Sequence, residues 1–300
     1  MVATRRSING SLMYFYICIF NYIIARFRDT VPSLTYDKIV QVGILAGGEE
    51  LKRARFFSDG HYHEGILVEP GILLDESHQR HREEQVTFLP PVVPHTVIGL
   101  ALNFADHAAE LEIATPEEPA LFFKPPNTWI GHRSPVIYPS GVEYMHYEVE
   151  LAVVIGRRCR KVHAQDALAV VRGYTIANDV TIRDFVRNFY RPPVRAKGWD
   201  TFCPLGPYLV EGEIEEPHGL ELRAYVNGEL RQQGNTSQLI HRVPELIEFI
   251  SSFMTFEPGD ILLTGTPRGV SHVHPGDVMR LEIEKIGALE NAVVAEHQTT

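Results

Sequence analysis

The sequence contains little cysteine and no excess of positive charge, and both shortages exclude classes of protein. Its 300 residues include three cysteines, and none of these form a CxxC pair. This usage argues against a disulfide framework or a cysteine zinc site and predicts a reducing compartment, so we expect a cytoplasmic protein. The formal net charge of -10 argues against nucleic acid or an anionic membrane as a partner.

The sequence also lacks an internal repeat, a heptad pattern, a glycine-rich phosphate loop and a long apolar run. The apolar stretch from Leu12 to Ala25 is interrupted by Asn21. It is shorter than the roughly 20 residues that a membrane span needs. We expect residues 1–35 to be an apolar extension outside the fold, arising from a wrongly chosen start codon; a signal-peptide core and a membrane anchor are the alternatives.

Short apolar runs separated by glycine and proline indicate a chain that is rich in strands. Residues 36–90 predict a small N-terminal β region that ends in a polar linker or short helix, with a boundary at the proline-rich "LPPVVP". Residues 91–300 alternate strand patterns with a few helices, of which "VPELIEFISSFM" has clear helical spacing. The predicted fold class is therefore α+β and mainly β, with residues 91–300 forming the main domain.

Two glutamates interrupt an otherwise apolar strand pattern, "YEVELAVVIG". Glu148 and Glu150 lie two residues apart, so their side chains point to the same face of a strand. Burying two neighbouring carboxylates without a partner is costly, and a hard cation removes that cost. The alternative is a solvent-facing strand end, with the apolar run beginning only after Glu150.

A third carboxylate, Asp179, ends the next strand pattern, "GYTIAND". Three carboxylates would leave about three of the six positions of Mg²⁺ or Mn²⁺ open to water and substrate, whereas Ca²⁺ is a further candidate in a crystal. Such open coordination is typical of catalytic sites. The alternative for Asp179 taken alone is an ordinary turn residue.

Two further groups of residues are candidates for catalysis or substrate binding. His107 and Glu110 are spaced i, i+3 on a predicted helix, which suits a general base oriented by a carboxylate; a surface pair is the alternative. Lys197 follows two prolines in a predicted basic loop, and "LLTGTPRGV" places Gly265 and Thr266 in a turn after a strand. These groups suit an anionic substrate, although a solvated loop and an ordinary turn are the alternatives.

Several motifs together resemble the fumarylacetoacetate hydrolase superfamily. They are "GLALNFADHAAEL", "PALFFKPPNTWIG", "YEVELAVVIG", "GYTIANDVTIRD", "RAKGWDTFCPLGPYLV", "VNGELRQQGNTS" and "MTFEPGDILLTGTPRGV". Within that superfamily the chain is most similar to the isomerase/decarboxylase group of 4-hydroxyphenylacetate degradation, second-half type. The resemblance implies a mixed β-roll or sandwich and a homodimer.

The resemblance also assigns roles to residues. It implies metal ligands at Glu148, Glu150 and Asp179, and a catalytic set of His107, Glu110 and Lys197. Substrate contacts then fall on Lys124, Arg183, Gly265 and Thr266.

The resemblance and the candidate residues together imply metal-dependent chemistry on a small 2-oxo acid. We expect decarboxylation and double-bond isomerisation of an unsaturated 2-oxo di- or tricarboxylic acid, of the 5-carboxymethyl-2-oxo-hex-3-ene-1,7-dioate or 2-hydroxyhepta-2,4-diene-1,7-dioate type, through an enolate that the metal stabilises. A carbon–carbon hydrolase of acylpyruvate or fumarylacetoacetate type, an oxaloacetate decarboxylase and an inactive metal-binding homologue are the alternatives. Residues 103–118 are expected to become ordered when a 2-oxo acid binds.

Overall fold

The computed structural model describes residues 51–110, 118–186 and 192–296, and among these residues strands are far more common than helices. The helices are α1 (Ala105–Glu110), α2 (Val194–Lys197) and α3 (Val243–Phe253). The strands, in chain order, are β1 (Leu51–Ser58), β2 (His61–Glu69), β3 (Ile72–Asp75), β4 (Arg80–Arg82), β5 (Thr87–Leu89), β6 (Val97–Ala101), β7 (Ala120–Phe123), β8 (Trp129–Ile130), β9 (Val136–Tyr138), β10 (Met145–His146), β11 (Val149–Ile155), β12 (Val171–Asn178), β13 (Thr181–Ile182), β14 (Cys203–Glu211), β15 (Glu221–Val226), β16 (Glu229–Asn235), β17 (Ile261–Leu263), β18 (Val278–Ile283) and β19 (Gly287–Ala295). The predicted mainly-β α+β fold is confirmed.

A large mixed sheet forms the frame of the molecule. Its strands follow the order β4-β3-β2-β1-β14-β12-β11-β17-β6-β7, while β5 pairs with β1 and β8 pairs with β14. Strand β11 pairs antiparallel with both β12 and β17, and the β17–β6 pair is parallel. The centre of the sheet therefore brings together segments that are more than 100 residues apart in the chain, such as Ala152 and Leu263.

A second sheet of five strands packs over the first and encloses the main core. Its order is β16-β15-β18-β19-β9, and it contacts β11, β12 and β14 of the large sheet. Alternate residues of β11, among them Leu151 and Val153, face this core together with Leu222 and Leu281 of the smaller sheet. The opposite face of β11 is also covered, because Ala152 belongs to a separate buried cluster. Burial on both faces explains why β11 is an almost continuous apolar run.

Local sequence signals account for the elements that flank this core. The predicted helix "VPELIEFISSFM" is α3, and its buried residues recur at helical spacing: Val243, Leu246, Ile247 and Ile250. The β15–β16 hairpin turns at Asn227 and Gly228, whose φ angles of 52° and 82° suit a tight hairpin turn. A 3-10 helix over Ala164–Val170 connects β11 to β12.

Residues 51–89 extend the large sheet through the pairing of β1 with β14. The segment 74–90, expected to be a linker or short helix, instead contains β4 and β5 around a 3-10 helix at Glu83–Gln85. His81 and Phe88 of this segment are buried, so part of it packs against the protein interior although most of its residues are polar. The expectations for residues 1–35 and 36–50 lie outside the described residues, and the boundary near residue 90 stays a prediction. Among the described residues, no helix has the length and hydropathy to cross a bilayer.

Candidate active site

Three carboxylates converge at the centre of the large sheet. Glu148 immediately precedes β11, Glu150 lies within it, and Asp179 immediately follows β12. One oxygen of each lies within 4.8 Å of the others, and all three residues are buried. The antiparallel pairing of β11 with β12 places them side by side, because Val149 is opposite Asn178. The solvent-facing alternative for the glutamates is wrong, since Glu150 is only 1% exposed.

Glu150 has the most costly environment of the three. Its Oε2 accepts a hydrogen bond of 2.6 Å from the backbone N–H of Gly265, while its Oε1 is buried without a hydrogen-bond partner. Burial raises the pKa of this carboxyl well above its usual range, and the neighbouring charges of Asp179 and Glu148 raise it further. A buried, partly unsatisfied carboxylate beside two others is a poor arrangement for stability.

Asp179 is stabilised as an anion by two lysines. Lys124 Nζ donates to its Oδ1 at 2.7 Å, and Lys197 Nζ donates to its Oδ2. Burial alone would raise the pKa of Asp179, but the two ammonium groups reverse this effect and hold the pKa below its usual value. Lys197 is likewise buried, and the carboxylates of Asp179 and Glu148 overcome its burial and raise its pKa.

Lys197 is placed by a short helix rather than by the basic loop that the sequence predicts. It ends α2, which begins after Pro193, and its Nζ also donates to Glu148 Oε2 at 3.0 Å and to Thr181 Oγ1 at 2.8 Å. The solvated-loop alternative is wrong for this side chain, since Lys197 is 8% exposed.

The Lys124 side chain is not exposed to the space where a substrate would bind. Its side chain is fully buried, and its Nζ donates to Asp179 and to the carbonyl of Val180. Arg183 is half-buried, and its backbone N–H donates to the carbonyl of Tyr144 at 2.8 Å. The substrate-binding roles of both residues stay predictions.

The turn after β17 closes one side of the acid cluster. Gly265 adopts a φ of 94°, and a Cβ there would lie 3.0 Å from the Cβ of Asn103. Thr266 is buried, and its Oγ1 accepts a hydrogen bond of 2.9 Å from Gln232. This turn is therefore more than a connection between strands, because the Gly265 N–H donates a hydrogen bond directly to the Glu150 carboxylate of the cluster.

Three buried polar residues in this region were given no role in the site from the sequence. Gln232 accepts from the Val149 N–H and donates to Thr266 and Pro267, so it joins β11 to the turn after β17. Asn103 donates to the carbonyls of His241 and Thr264 and orders the same turn from the other side. The motif "VNGELRQQG" contains Gln232, so a search for buried amides within the resembling motifs could have found it.

His146 is the third of these residues. Its ring is buried, its Nδ1 lies 3.5 Å from Glu148 Oε1, and its Nε2 is buried without a hydrogen-bond partner. Burial, aided by the charge of Lys197, lowers the pKa of His146 to about 3. A neutral imidazole therefore lies directly beside the cluster.

The predicted His107–Glu110 pair lies on α1. The Glu110 carboxylate accepts hydrogen bonds of 3.2 and 3.3 Å from the backbone N–H of Gly269, which connects α1 to the turn bearing Gly265 and Thr266. The His107 side chain and residues 111–117 lie outside the described part of the chain, so the role of the pair and the ordering of residues 103–118 stay predictions.

The acid cluster fits a divalent cation. Three buried carboxylates with one unsatisfied oxygen offer hard oxygen ligands, and a cation of charge 2+ would relieve the repulsion that raises the pKa of Glu150. The two lysines alone leave the three carboxylates with one net negative charge. Glu148, Glu150 and Asp179 are accordingly the residues that could hold the ion.

Comparison with protein-family models identifies the family of this chain. Residues 96–294 match the family model described as fumarylacetoacetate (FAA) hydrolase C-terminal, which is more than half of the chain. The chain belongs to the fumarylacetoacetate hydrolase family. The resemblance inferred from the motifs is thereby confirmed.

One curated relative is the 4-hydroxyphenylacetate degradation bifunctional isomerase/decarboxylase of Salmonella dublin. It is 50% identical to this fumarylacetoacetate hydrolase family member over 202 residues, which are 67% of this chain and 47% of the relative. The chain thus spans about half the length of the curated relatives of that name.

Solved structures of the family align along their whole length. A 5-carboxymethyl-2-hydroxymuconate delta-isomerase from Mycobacterium smegmatis is 38% identical with a TM-score of 0.74, covering 82% of this chain and 100% of its own. A 2-hydroxyhepta-2,4-diene-1,7-dioate isomerase from Mycobacterium marinum is 34% identical with a TM-score of 0.74, covering 83% of this chain and 100% of its own. A maleylpyruvate hydrolase from Sphingobium sp. SYK-6, in complex with manganese(II) and pyruvate, is 28% identical with a TM-score of 0.71, covering 82% of this chain and 100% of its own.

Proposed function

We propose that the protein is a divalent-metal-dependent decarboxylase and double-bond isomerase of an unsaturated 2-oxo di- or tricarboxylic acid. The observation that carries this proposal is the convergence of Glu148, Glu150 and Asp179 within 4.8 Å in a buried site. Mg²⁺ is the expected ion, with Mn²⁺ as its substitute, because all three ligands are carboxylates. The isomerase and decarboxylase names among the relatives support the substrate class.

The bound ion would supply Lewis acidity toward the oxygens of a 2-oxo acid. The chain's own residues prepare the site for it. The Gly265 amide orients the Glu150 carboxylate, and Lys197 holds the side chains of Glu148 and Asp179 in place through ion pairs. Lys124 stabilises the Asp179 charge from the buried side, so it acts as a positioning residue.

The outer part of the site provides groups for an anionic substrate. The Thr266 hydroxyl, held by Gln232, and the half-buried Arg183 are the side chains proposed to bind substrate carboxylates. A second carboxylate on the substrate would explain why a basic side chain such as Arg183 is needed near the three carboxylates of the acid cluster.

Proton transfer is assigned to His107. Isomerisation requires a proton to leave one carbon and return to another, and decarboxylation requires a proton to replace the lost carboxylate. The i, i+3 spacing places Glu110 on the same helix face as His107, and the Gly269 contact ties that helix to the turn bearing Thr266. A His107 ring nitrogen is therefore proposed to take and return the proton, oriented by Glu110.

The proposal is tested by incubating the protein with Mg²⁺ and a panel of unsaturated 2-oxo acids. Carbon dioxide release reports decarboxylation, and a change of ultraviolet absorption with unchanged mass reports isomerisation. We expect both with a 5-carboxymethyl-2-oxo-hex-3-ene-1,7-dioate type of substrate. If the protein converts only acylpyruvates and splits each into pyruvate and a carboxylic acid, the proposal is contradicted and the protein is a hydrolase.

A carbon–carbon hydrolase is the second candidate. The observation that favours it is the manganese- and pyruvate-bound hydrolase among the aligned structures, since the fold alone does not separate the reactions. A hydrolase needs an activated water where the isomerase needs only proton transfer, and His107 suits both tasks. Oxaloacetate decarboxylation is tested in the same panel.

We propose a cytoplasmic homodimer whose catalytic domain spans residues 91–300. Cys159 and Cys203 are free thiols, as expected in a reducing compartment. Sedimentation of the full chain tests the dimer.

A further inference from the structure

A second cluster of metal-ligand side chains lies far from the acid cluster in the large sheet. It consists of His63 on β2, Asp75 at the end of β3 and His81 on β4. Three strands, β1, β14 and β12, separate β2 from the acid-bearing β11. One ligand atom from each of the three residues lies within 4.8 Å of the others.

Strand register builds this cluster on one face of the sheet. Asp75 pairs with Gly65, which has no side chain to fill the space, and His63 is two residues away on the same face of β2. His81 pairs with Leu73, which is two residues before Asp75 and shares its face. Three consecutive strands therefore each direct one ligand group to a single point.

The distances in the cluster suit a tetrahedral ion. His63 Nδ1 and His81 Nε2 each lie 3.0 Å from the same oxygen, Asp75 Oδ2. Ligand bonds of about 2.0–2.2 Å around tetrahedral zinc separate neighbouring ligand atoms by about 3.3–3.6 Å, so lengthening each 3.0 Å separation by about 0.3–0.6 Å would admit the ion.

The groups behind the ligands orient them as metal sites require. His63 Nε2 lies 3.3 Å from the Ser58 carbonyl, which can only accept, so that nitrogen carries the proton. A second proton on His63 Nδ1, or a metal ion in its place, is then required between this nitrogen and the Asp75 carboxylate. Asp75 Oδ1 is fixed by the Gln79 N–H at 2.8 Å. Such backing of ligands by carbonyl and amide groups is the common pattern in metal sites.

The wall of the cluster is apolar and the site is mostly enclosed. The rings of His63 and His81 lie 5.2 and 5.0 Å from the Phe56 ring. The side chains of Asp75 and His81 are 2% and 7% exposed, while that of His63 is 16% exposed and leaves a route to solvent.

We propose that His63, Asp75 and His81 bind one zinc-class ion, with water as the fourth ligand, and that this ion ties β2, β3 and β4 together. Two imidazoles and one carboxylate favour Zn²⁺ over Mg²⁺, which prefers oxygen ligands. The site is separate from the proposed reaction and supplies none of its steps.

Zinc binding is tested in a Glu150→Gln background, which weakens the acid cluster as a competing site. The chain is stripped with chelator, dialysed against Zn²⁺, and its zinc content is measured by mass spectrometry. We expect one zinc per chain, retained in the matched control His61→Ala, which removes an exposed histidine of the same strand. Adding His63→Gln or Asp75→Asn should weaken binding by more than about 100-fold, beyond the 10–100-fold loss typical of an outer-shell partner.

Two further readouts keep the test decisive. Co²⁺ should give the visible absorption of a tetrahedral ion in the Glu150→Gln chain and lose it with His63→Gln, the mildest change because His63 is the most exposed ligand. Zn²⁺ should raise the Tm of the Glu150→Gln chain and leave that of the His63→Gln double variant unchanged. Absence of zinc from the Glu150→Gln chain, or equal zinc affinity in the His63→Gln double variant, would overturn the proposal and leave a proton-bridged His–Asp–His cluster.

Discussion

Replacing Glu150 by glutamine should stabilise the protein when no metal is bound. The carboxylate is 1% exposed, one of its oxygens lacks a partner, and two other carboxylates lie within 4.8 Å. Glutamine keeps an oxygen for the Gly265 N–H and places an amide donor toward Asp179 and Glu148. Removing an unsatisfied buried polar group is worth about 1–3 kcal/mol, and more where it carries charge. At roughly 2–4 °C per kcal/mol, the Tm of chelator-treated protein should rise by about 2–12 °C.

The pH dependence of this effect has a definite sign. The pKa of Glu150 is raised in the folded protein, so its ionisation opposes folding above the ordinary glutamate pKa of about 4.3. Below that value the carboxyl is protonated in both folded and unfolded chains, and the penalty disappears. The stability difference between Glu150→Gln and the parent should therefore increase from pH 5 toward pH 8.

Thermal unfolding in EDTA, followed by circular dichroism across this pH range, provides the assay. The matched control is Glu257→Gln, which removes a surface carboxylate that is 43% exposed and paired with Arg158 at 3.1 Å. The control should change stability by less than about 1 kcal/mol. Added Mg²⁺ should stabilise the parent and the control but not Glu150→Gln. A lower Tm for Glu150→Gln in EDTA would refute the reasoning, because it would mean that the carboxylate is well satisfied without an ion.

Three further substitutions test the surrounding residues. Lys197→Met should cost about 3–5 kcal/mol in denaturant unfolding of the metal-free protein, since it leaves Asp179 and Glu148 short of a buried partner; added Mg²⁺ should recover part of the loss, and an unchanged midpoint would contradict the pairing. His107→Ala should lower turnover by roughly 10²–10⁴-fold with metal affinity intact, and loss of the metal would make His107 a ligand instead. Gly265→Ala should lower metal affinity and stability by about 1–3 kcal/mol, because its φ is 94° and its Cβ would meet Asn103. Gly141→Ala is the control for Gly265→Ala. Gly141 also has a positive φ, of 76°, but a Cβ added there would have no atom within 4 Å, so this substitution should leave metal affinity unchanged.

Much of the fold and the acid cluster follows from local sequence pattern. The period of two in "YEVELAVVIG" places Glu148 and Glu150 on one face, and strand β12 ends next to Asp179 as its pattern predicts. Each of these inferences uses only residues within one strand, where side-chain direction is set by the backbone.

The remaining features depend on pairing between distant segments. The Gly265–Glu150 hydrogen bond joins residues 115 positions apart, and the Asn103–Thr264 bond joins residues 161 apart. The ligand set of His63, Asp75 and His81 depends on the register of three strands, which a histidine-rich polar stretch does not reveal. Lys197 was expected in a loop because two prolines precede it, whereas Pro193 is the N-cap of the short helix that directs its side chain inward.

The central claim is that Glu148, Glu150 and Asp179 jointly bind the divalent ion on which turnover depends. Mn²⁺ titration of chelator-stripped protein tests it most directly, with free Mn²⁺ measured by electron paramagnetic resonance and 2-oxo acid turnover measured in the same samples. The account predicts one Mn²⁺ per chain, activity that rises in step with occupancy, and loss of both in Asp179→Asn while His61→Ala matches the parent. Full turnover in excess EDTA, or parental Mn²⁺ affinity in Asp179→Asn, would contradict it.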